Sequence, residues 1–277
     1  MRFMKQLFNF YINSSIHVAL SVFSLSWITL LEFNISYDEN ILYFNFYATI
    51  TGYNFVKYFG IAKFHHRRLA AWLKSIQIFS LACFVLMLYY VFQLEQRTLV
   101  YVLGFGLVTF LYAIPFLPKR FFLDSQHNLR SISGLKIYLI GLIWSGVTVF
   151  LPLINNDFVL DANVLITSIQ RFLFIMALML PFEIRDLQYD SVKLSTIPQR
   201  IGIAKTKLIG VLLLLVFTFV QFLKKEMGLI YSIILFTTTL VTILLLLVSK
   251  KEQTKYYSSF IVEGVPILWL ILMLFFI

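Results

Sequence analysis

Residues 164–202 read VLITSIQRFLFIMALMLPFEIRDLQYDSVKLSTIPQRIG. The part of this stretch before the proline is apolar except for a few polar residues, and Arg171 is its single charge. A helix needs about 20 predominantly apolar residues to cross the hydrocarbon layer of a membrane. The stretch therefore predicts a membrane-crossing helix whose end carries the carboxylates Glu183, Asp186 and Asp190.

The rest of the chain has the same character. Of its 277 residues, 60% are hydrophobic and only 13% are charged, whereas soluble domains are about half apolar and a quarter charged. We therefore predict an all-α polytopic membrane protein with about nine transmembrane helices, forming one domain over residues 1–277. The predicted spans are 10–31, 40–58, 74–93, 98–117, 136–154, 163–183, 208–223, 227–249 and 257–277.

The distribution of positive charge predicts the orientation. With the N-terminus placed in the cytoplasm, 19 of the 23 Lys and Arg residues fall in cytoplasmic segments, which satisfies the positive-inside rule. The C-terminus is then on the opposite side of the membrane. The net charge of +10 is explained by this topology and by contact with anionic membrane lipids, so it does not indicate binding of nucleic acid. The only cysteine, Cys83, lies within a predicted span, which excludes an intramolecular disulfide.

The acidic cluster has two interpretations. If the sixth helix continues beyond Pro181, then Glu183, Asp186 and Asp190 lie at i, i+3 and i+7 and share one face. Their mutual repulsion must be offset by a bound cation or by nearby Lys and Arg side chains. Carboxylates on one face are typical ligands of Mg²⁺. The alternative is a solvated helix end that is paired with Arg185 and Lys193. Because acidic residues are rare on the predicted cytoplasmic side, and ionisable clusters at membrane depth usually serve function, we favour the functional interpretation.

The residues that follow give this stretch a family resemblance. STIPQRIG places Thr196, Pro198, Arg200 and Gly202 in a predicted loop before the seventh span. The whole stretch resembles the second aspartate-rich motif of the UbiA superfamily of intramembrane prenyltransferases. Asp186 and Asp190 match the metal-binding pair of that motif, and Glu183 replaces its usual upstream acidic residue. The spacer after Asp190 is one residue short, and Leu194 stands where the family has glycine.

A second segment carries the same resemblance. LYAIPFLPKR, at the end of the fourth span, resembles the family's Tyr-x-x-Pro followed by a Lys-Arg pair, here Tyr112, Pro115, Lys119 and Arg120. Adjacent cations at a membrane surface usually reflect the positive-inside rule alone, but in this context they are candidate diphosphate contacts.

The family's first aspartate-rich motif is degenerate in this chain. The matching segment reads GYNFVKYFGIAKFHH, in which Asn54 fits but Phe55, Tyr58 and Ala62 stand where acids are expected. Asn54, Lys57 and Tyr58 share one helical face. The Lys57 ammonium could bind diphosphate directly or could reach the lipid headgroups, and Tyr58 could face an allylic cation or be an ordinary interfacial tyrosine.

The resemblance implies helices around a central cavity and transfer of a prenyl group from a prenyl diphosphate to a membrane-soluble acceptor. It implies the following site: catalytic Asp186, Asp190, Lys119 and Arg120; substrate-binding Asn54, Lys57, Tyr58, Tyr112 and Arg200; and Mg²⁺ held by Asp186, Asp190 and Glu183. The missing acids leave an alternative, a non-catalytic UbiA-like protein that binds a polyprenyl phosphate or a partner protein. A transporter is less well supported, because no paired Gly/Pro interruptions of the spans stand out.

Two further charges, Arg171 and Glu263, fall inside predicted spans near opposite faces of the membrane. We expect either of them to line a cavity, or else the span limits to shift by several residues.

Overall fold

The computed structural model describes residues 2–64, 71–113, 134–189, 195–224 and 228–276. Within these ranges the chain is helical and contains no strand, which confirms the predicted all-helical membrane protein. The α-helices are α1 (Arg2–Asn13), α2 (Ile16–Glu32), α3 (Glu39–Phe64), α4 (Ala71–Val91), α5 (Gln96–Ala113), α6 (Leu135–Ser145), α7 (Leu151–Asn155), α8 (Ala162–Asp186), α9 (Ile197–Val220), α10 (Leu229–Val248) and α11 (Val265–Phe276).

Judged by length and apolarity, fewer helices can cross a membrane than the sequence predicted. Six helical segments of the described residues are long and apolar enough to cross a membrane, and a seventh is formed if α1 and α2, which meet at a bend of 53°, count as one span. The nine predicted crossings are therefore not confirmed. Helix α5 is short, and α3 is long but contains too many polar positions.

The end of α3 and the start of α9 differ from the sequence-based prediction. Helix α3 continues to Phe64, beyond the predicted end of the second span. The loop predicted around STIPQRIG is wrong, because α9 begins at Ile197. Thr196 and Gln199 form a capping box at the start of α9 and Pro198 lies in its first turn, which is a favourable helix start. At Gly202 the backbone takes φ 80° and ψ 164°, so α9 kinks there.

The main core lies among α2, α8, α9, α10 and α11. Phe174, Phe217 and Trp269 meet at its centre, with ring centroids 5.4–5.9 Å apart. These rings and the aliphatic residues around them pack α8 against its neighbours, and α8 in turn positions the acidic cluster at its C-terminal end. A π-helical turn, Tyr257–Val262, precedes α11.

Candidate functional site

The carboxylates at the end of α8 are held by two cations. Helix α8 runs through Pro181 to Asp186, so Glu183 and Asp186 share one face as expected. Lys136, at the start of α6, places its Nζ 2.9 Å from Glu183 Oε1 and 3.5 Å from Asp186 Oδ2. Arg185 binds the other oxygen of Asp186, with both Nε and a terminal nitrogen 2.8 Å from Oδ1. Fixed cations therefore offset the repulsion between the two carboxylates.

This arrangement combines parts of both interpretations of the cluster. Pairing with Arg185 is observed, whereas Lys193 and Asp190 lie outside the described residues. Within the described part of the cluster, Glu183 is not solvated, because its side chain is only 2% exposed. Lys136 is a site residue that sequence reasoning missed, and its separation of 50 residues from Asp186 left no local pattern to reveal it.

The described residues do not form a metal site by themselves. Among the described parts of the chain, no group of three His, Cys, Asp or Glu side chains is arranged to hold a metal ion. Both carboxylates of α8 already face Lys136, so a divalent cation would have to compete with its ammonium group. The Mg²⁺ predicted on Asp186, Asp190 and Glu183 therefore stays a prediction.

The predicted residues of α3 converge on the break between α1 and α2. Asn54 accepts a hydrogen bond from Ser15 Oγ at 2.8 Å and donates to Ser14 O at 2.9 Å and Ser80 Oγ at 2.7 Å. Lys57 donates to Ser15 Oγ at 2.9 Å, and the Tyr58 hydroxyl donates to Asn13 O at 2.8 Å. Ser15 itself has φ 64°, in the left-handed region.

These contacts assign a structural role to part of the degenerate motif. The amide of Asn54 is buried and is fully engaged in holding the break, so it fixes the bend of the first span. Lys57 remains exposed although its helix packs against α2 and α4. Its ammonium is thus held at the α1–α2 break and also borders open space.

Charged groups from four elements form a series that is joined partly by ion pairs and partly by longer-range electrostatic interactions. Glu263, just before α11, interacts electrostatically with Lys57 of α3 and with Arg185 of α8. Arg185 binds Asp186, and Asp186 faces Lys136 of α6. Charged groups are expensive among membrane helices and usually mark a functional path. The series therefore identifies the candidate site, and it includes Glu263, one of the two charges that the sequence placed inside predicted spans.

Comparison with known proteins gives the fold. No family model matches the chain, and no curated protein matches it by sequence. A solved structure from a study of digeranylgeranylglyceryl phosphate synthase in membranes is similar to it, with 16% sequence identity and a TM-score of 0.58. The similarity covers 96% of this chain and 98% of that chain.

The chain shares the overall fold of that membrane-protein structure. At this level of identity the comparison supports the fold and does not test the individual motif residues.

The other residues that the sequence predicted for the site are not part of the charge series described above. Tyr112 is buried near the end of α5, while Lys119 and Arg120 lie outside the described residues. Arg200 lines a groove of about 320 Å³ that is otherwise largely apolar and is bordered by residues of α6, α8 and α9, among them Tyr138 and Phe172.

A second buried charge cluster lies near the other end of α8. Arg171 is twelve residues before Glu183, which is about 18 Å along a helix axis. Its guanidinium donates to Thr29 Oγ1 at 3.2 Å and lies 5.2 Å from the centroid of the Trp269 ring. Nearby, Lys224 forms an ion pair with Glu32 in which both side chains are 3% exposed. Burial lowers the pKa of the Lys224 ammonium, and the charge of Glu32 opposes that shift.

Proposed function

We propose that the chain is a membrane prenyltransferase that moves a prenyl group from a prenyl diphosphate to a lipophilic or aromatic acceptor. The UbiA-like fold makes this reaction class the first candidate. The observation that carries the proposal is the charge series, in which Lys57, Arg185 and Lys136 alternate with three carboxylates of two elements. Such a series has no evident use in a purely structural helical bundle.

The chemistry fits the cations of the series. When the C–O bond of a prenyl diphosphate breaks, negative charge accumulates on the departing diphosphate. Preorganised cations in a water-poor site stabilise that charge strongly, and ammonium and guanidinium groups form short hydrogen bonds to phosphate oxygens. We assign this role to Lys57 and Arg185, together with Lys119 and Arg120. Tyr58 is retained as a candidate for contact with the allylic cation.

Mg²⁺ remains part of the proposal. Bound at Asp186 and Asp190, it would add a divalent charge to the same leaving group. Glu183 is retained as its third predicted ligand, and Asn54, Tyr112 and Arg200 as substrate-binding residues. None of the steps described for Lys57 and Arg185 depends on the metal.

One observation favours the alternative of a non-catalytic protein that binds a polyprenyl phosphate or a partner protein. Asn54 and Tyr58 are bonded to the α1–α2 break, and Glu183 and Asp186 are paired with cations. Because these polar and charged side chains all have partners within the protein, they can be stable there even if the protein catalyses no reaction.

The direct test is an assay of purified protein in detergent. We would incubate it with geranyl, farnesyl and geranylgeranyl diphosphate, with and without Mg²⁺, and measure released diphosphate and prenylated product with several acceptors. The prenyltransferase proposal expects diphosphate release with at least one donor. Tight donor binding without any release would favour the non-catalytic alternative, and absence of both would contradict the proposal.

The role of Lys57 gives a quantitative prediction. Replacing Lys57 by Ala should weaken binding of a prenyl diphosphate by about 1.5–3 kcal/mol, which is about 10- to 150-fold in Kd, because a hydrogen bond to a charged group is lost. Isothermal titration with the parent protein and the variant measures this change. Lys251→Ala is the matched control, since Lys251 is exposed in the loop before α11. Equal affinities of parent and Lys57→Ala would show that Lys57 serves only the α1–α2 break.

A further inference from the structure

Glu263 has no direct partner for its carboxylate. Among the described residues its side chain makes no hydrogen bond and no ion pair, and its interactions with Lys57 and Arg185 are longer-range. Glu183 and Asp186, in contrast, have cations within 2.8–3.5 Å. A carboxylate that is left unpaired among membrane helices is costly, so its retention calls for a use that the proposed leaving-group chemistry does not supply.

The backbone around Glu263 is fixed by several contacts. The π-helical turn Tyr257–Val262 ends at this residue, and Glu263 N donates to Ser258 O at 3.0 Å. The Ser21 hydroxyl donates to the Glu263 carbonyl oxygen. A Cβ at the next residue, Gly264, would lie 2.8 Å from Phe260 O, so glycine is required there. Single π-helical turns often occur at functional sites, and this one ends at Glu263.

The Glu263 carboxylate is partly exposed and lies within electrostatic range of several polar groups. Glu263 is partly exposed and Lys57 is exposed, although both belong to the packed helical bundle. The carboxylate and the Lys57 ammonium of α3 interact electrostatically without forming an ion pair, so a carboxylate oxygen of Glu263 stays available to another partner. The hydroxyls of Tyr53 and Tyr11 are also within electrostatic range of the carboxylate.

We infer that Glu263 is a catalytic base that takes the proton from the acceptor during prenyl transfer. This inference rests on the proposed function. The C–O bond between the prenyl carbon and the diphosphate breaks, and the diphosphate keeps the electron pair. The acceptor oxygen forms the new bond to the prenyl carbon, and the hydroxyl proton moves to a Glu263 carboxylate oxygen. Lys57 and Arg185, which lie within electrostatic range of the carboxylate, are the groups assigned to the departing diphosphate in the proposed function.

The geometry favours Glu263 over the other carboxylates for this step. A base must have an oxygen that an acceptor can reach. Asp186 has Arg185 on one oxygen and Lys136 on the other, and Glu183 is almost completely buried against Lys136. Glu263 alone among these three is unpaired within the described part of the chain.

The test separates proton removal from donor binding. Glu263→Gln keeps the size and polarity of the side chain but cannot accept the proton. With geranylgeranyl diphosphate as donor and either 4-hydroxybenzoate or a glycerol-based lipid alcohol as acceptor, we expect transfer to slow by about 10²- to 10⁴-fold, while donor affinity stays within about twofold of the parent. Glu263→Ala should regain part of its activity when formate is added, which a purely structural role would not produce. Glu252→Gln, in an exposed loop, is the matched control.

Two results would overturn the inference. Transfer by Glu263→Gln at the parent rate would do so, and so would a loss of donor affinity as large as the loss of transfer, because that pattern indicates a binding role. These outcomes leave the proposed function intact. If the parent protein itself transfers no prenyl group to either acceptor and releases no diphosphate, the proposed function fails and the inference fails with it.

Discussion

Replacing Glu32 by Gln should destabilise the protein by about 3–5 kcal/mol, the range measured when one partner of a buried ion pair is removed. Lys224 is then left with a buried charge, and Arg171 loses its nearby counter-charge. Since folded proteins are stable by only about 5–15 kcal/mol, this single change should strongly lower the yield of folded protein. Thermal unfolding in detergent, followed by circular dichroism or by dye binding, measures the effect.

Controls and pH dependence make this prediction specific. Glu39→Gln, at an exposed position at the start of α3, should leave the unfolding midpoint unchanged. Combining Glu32→Gln with Lys224→Gln should recover part of the loss. Because burial lowers the pKa of Lys224 in the folded state, the folded form releases that proton more readily than the unfolded form, and the deficit of Glu32→Gln should shrink as pH rises. An unchanged midpoint in Glu32→Gln would contradict the assigned ion pair.

Asp186→Asn should reduce prenyl transfer by at least about 100-fold, the loss typical of removing one preorganised electrostatic group from an active site. The carboxylate orients Arg185 through two hydrogen-bonding nitrogens, and it is also the predicted partner of Asp190 for Mg²⁺. The asparagine retains the shape of the side chain but lacks the charge that both roles require. Turnover measured over a range of Mg²⁺ concentrations, with Glu252→Gln as control, tests this expectation.

The metal dependence distinguishes the two roles of Asp186. A loss that excess Mg²⁺ partly reverses indicates a weakened metal site. A loss that is independent of Mg²⁺ indicates that Asp186 acts by holding Arg185. Parent-like activity of Asp186→Asn would contradict both roles and would leave the acidic end of α8 as a structural feature.

The sequence was most informative where a property depends on local spacing. The apolar runs predict helices because the membrane demands about 20 apolar residues, and the 3.6-residue period places Glu183 and Asp186 on one face. The start of α9 was missed although Thr196 and Gln199 form a capping box, because the seventh span was predicted to begin only at residue 208.

Contacts between distant segments could not be predicted in this way. Lys136 contacts Asp186, which is 50 residues away in the sequence, and no local sequence pattern predicts such a pair. Asn54 and Lys57 lie on one face as expected, but their attachment to Ser15 depends on a left-handed backbone at a serine. That conformation is uncommon for a residue other than glycine. The break between α1 and α2 could therefore not be predicted from the sequence.

The pair between Glu32 and Lys224 also constrains the order in which the protein can assemble. Its two residues are separated by 192 positions, and Thr167, which donates a hydrogen bond to Glu32, follows it by 135 positions. Chains are synthesised from the N-terminus at about 5–20 residues per second. Lys224 is therefore added to the chain about 10–40 seconds after Glu32. During that interval Arg171, which is synthesised before Lys224, is the nearby cation that can offset the charge of Glu32. A chain that stops before α9 is complete therefore lacks the one direct ion pair that the structure records for Glu32, and α2 is joined to its late-synthesised partner only when Lys224 has been added.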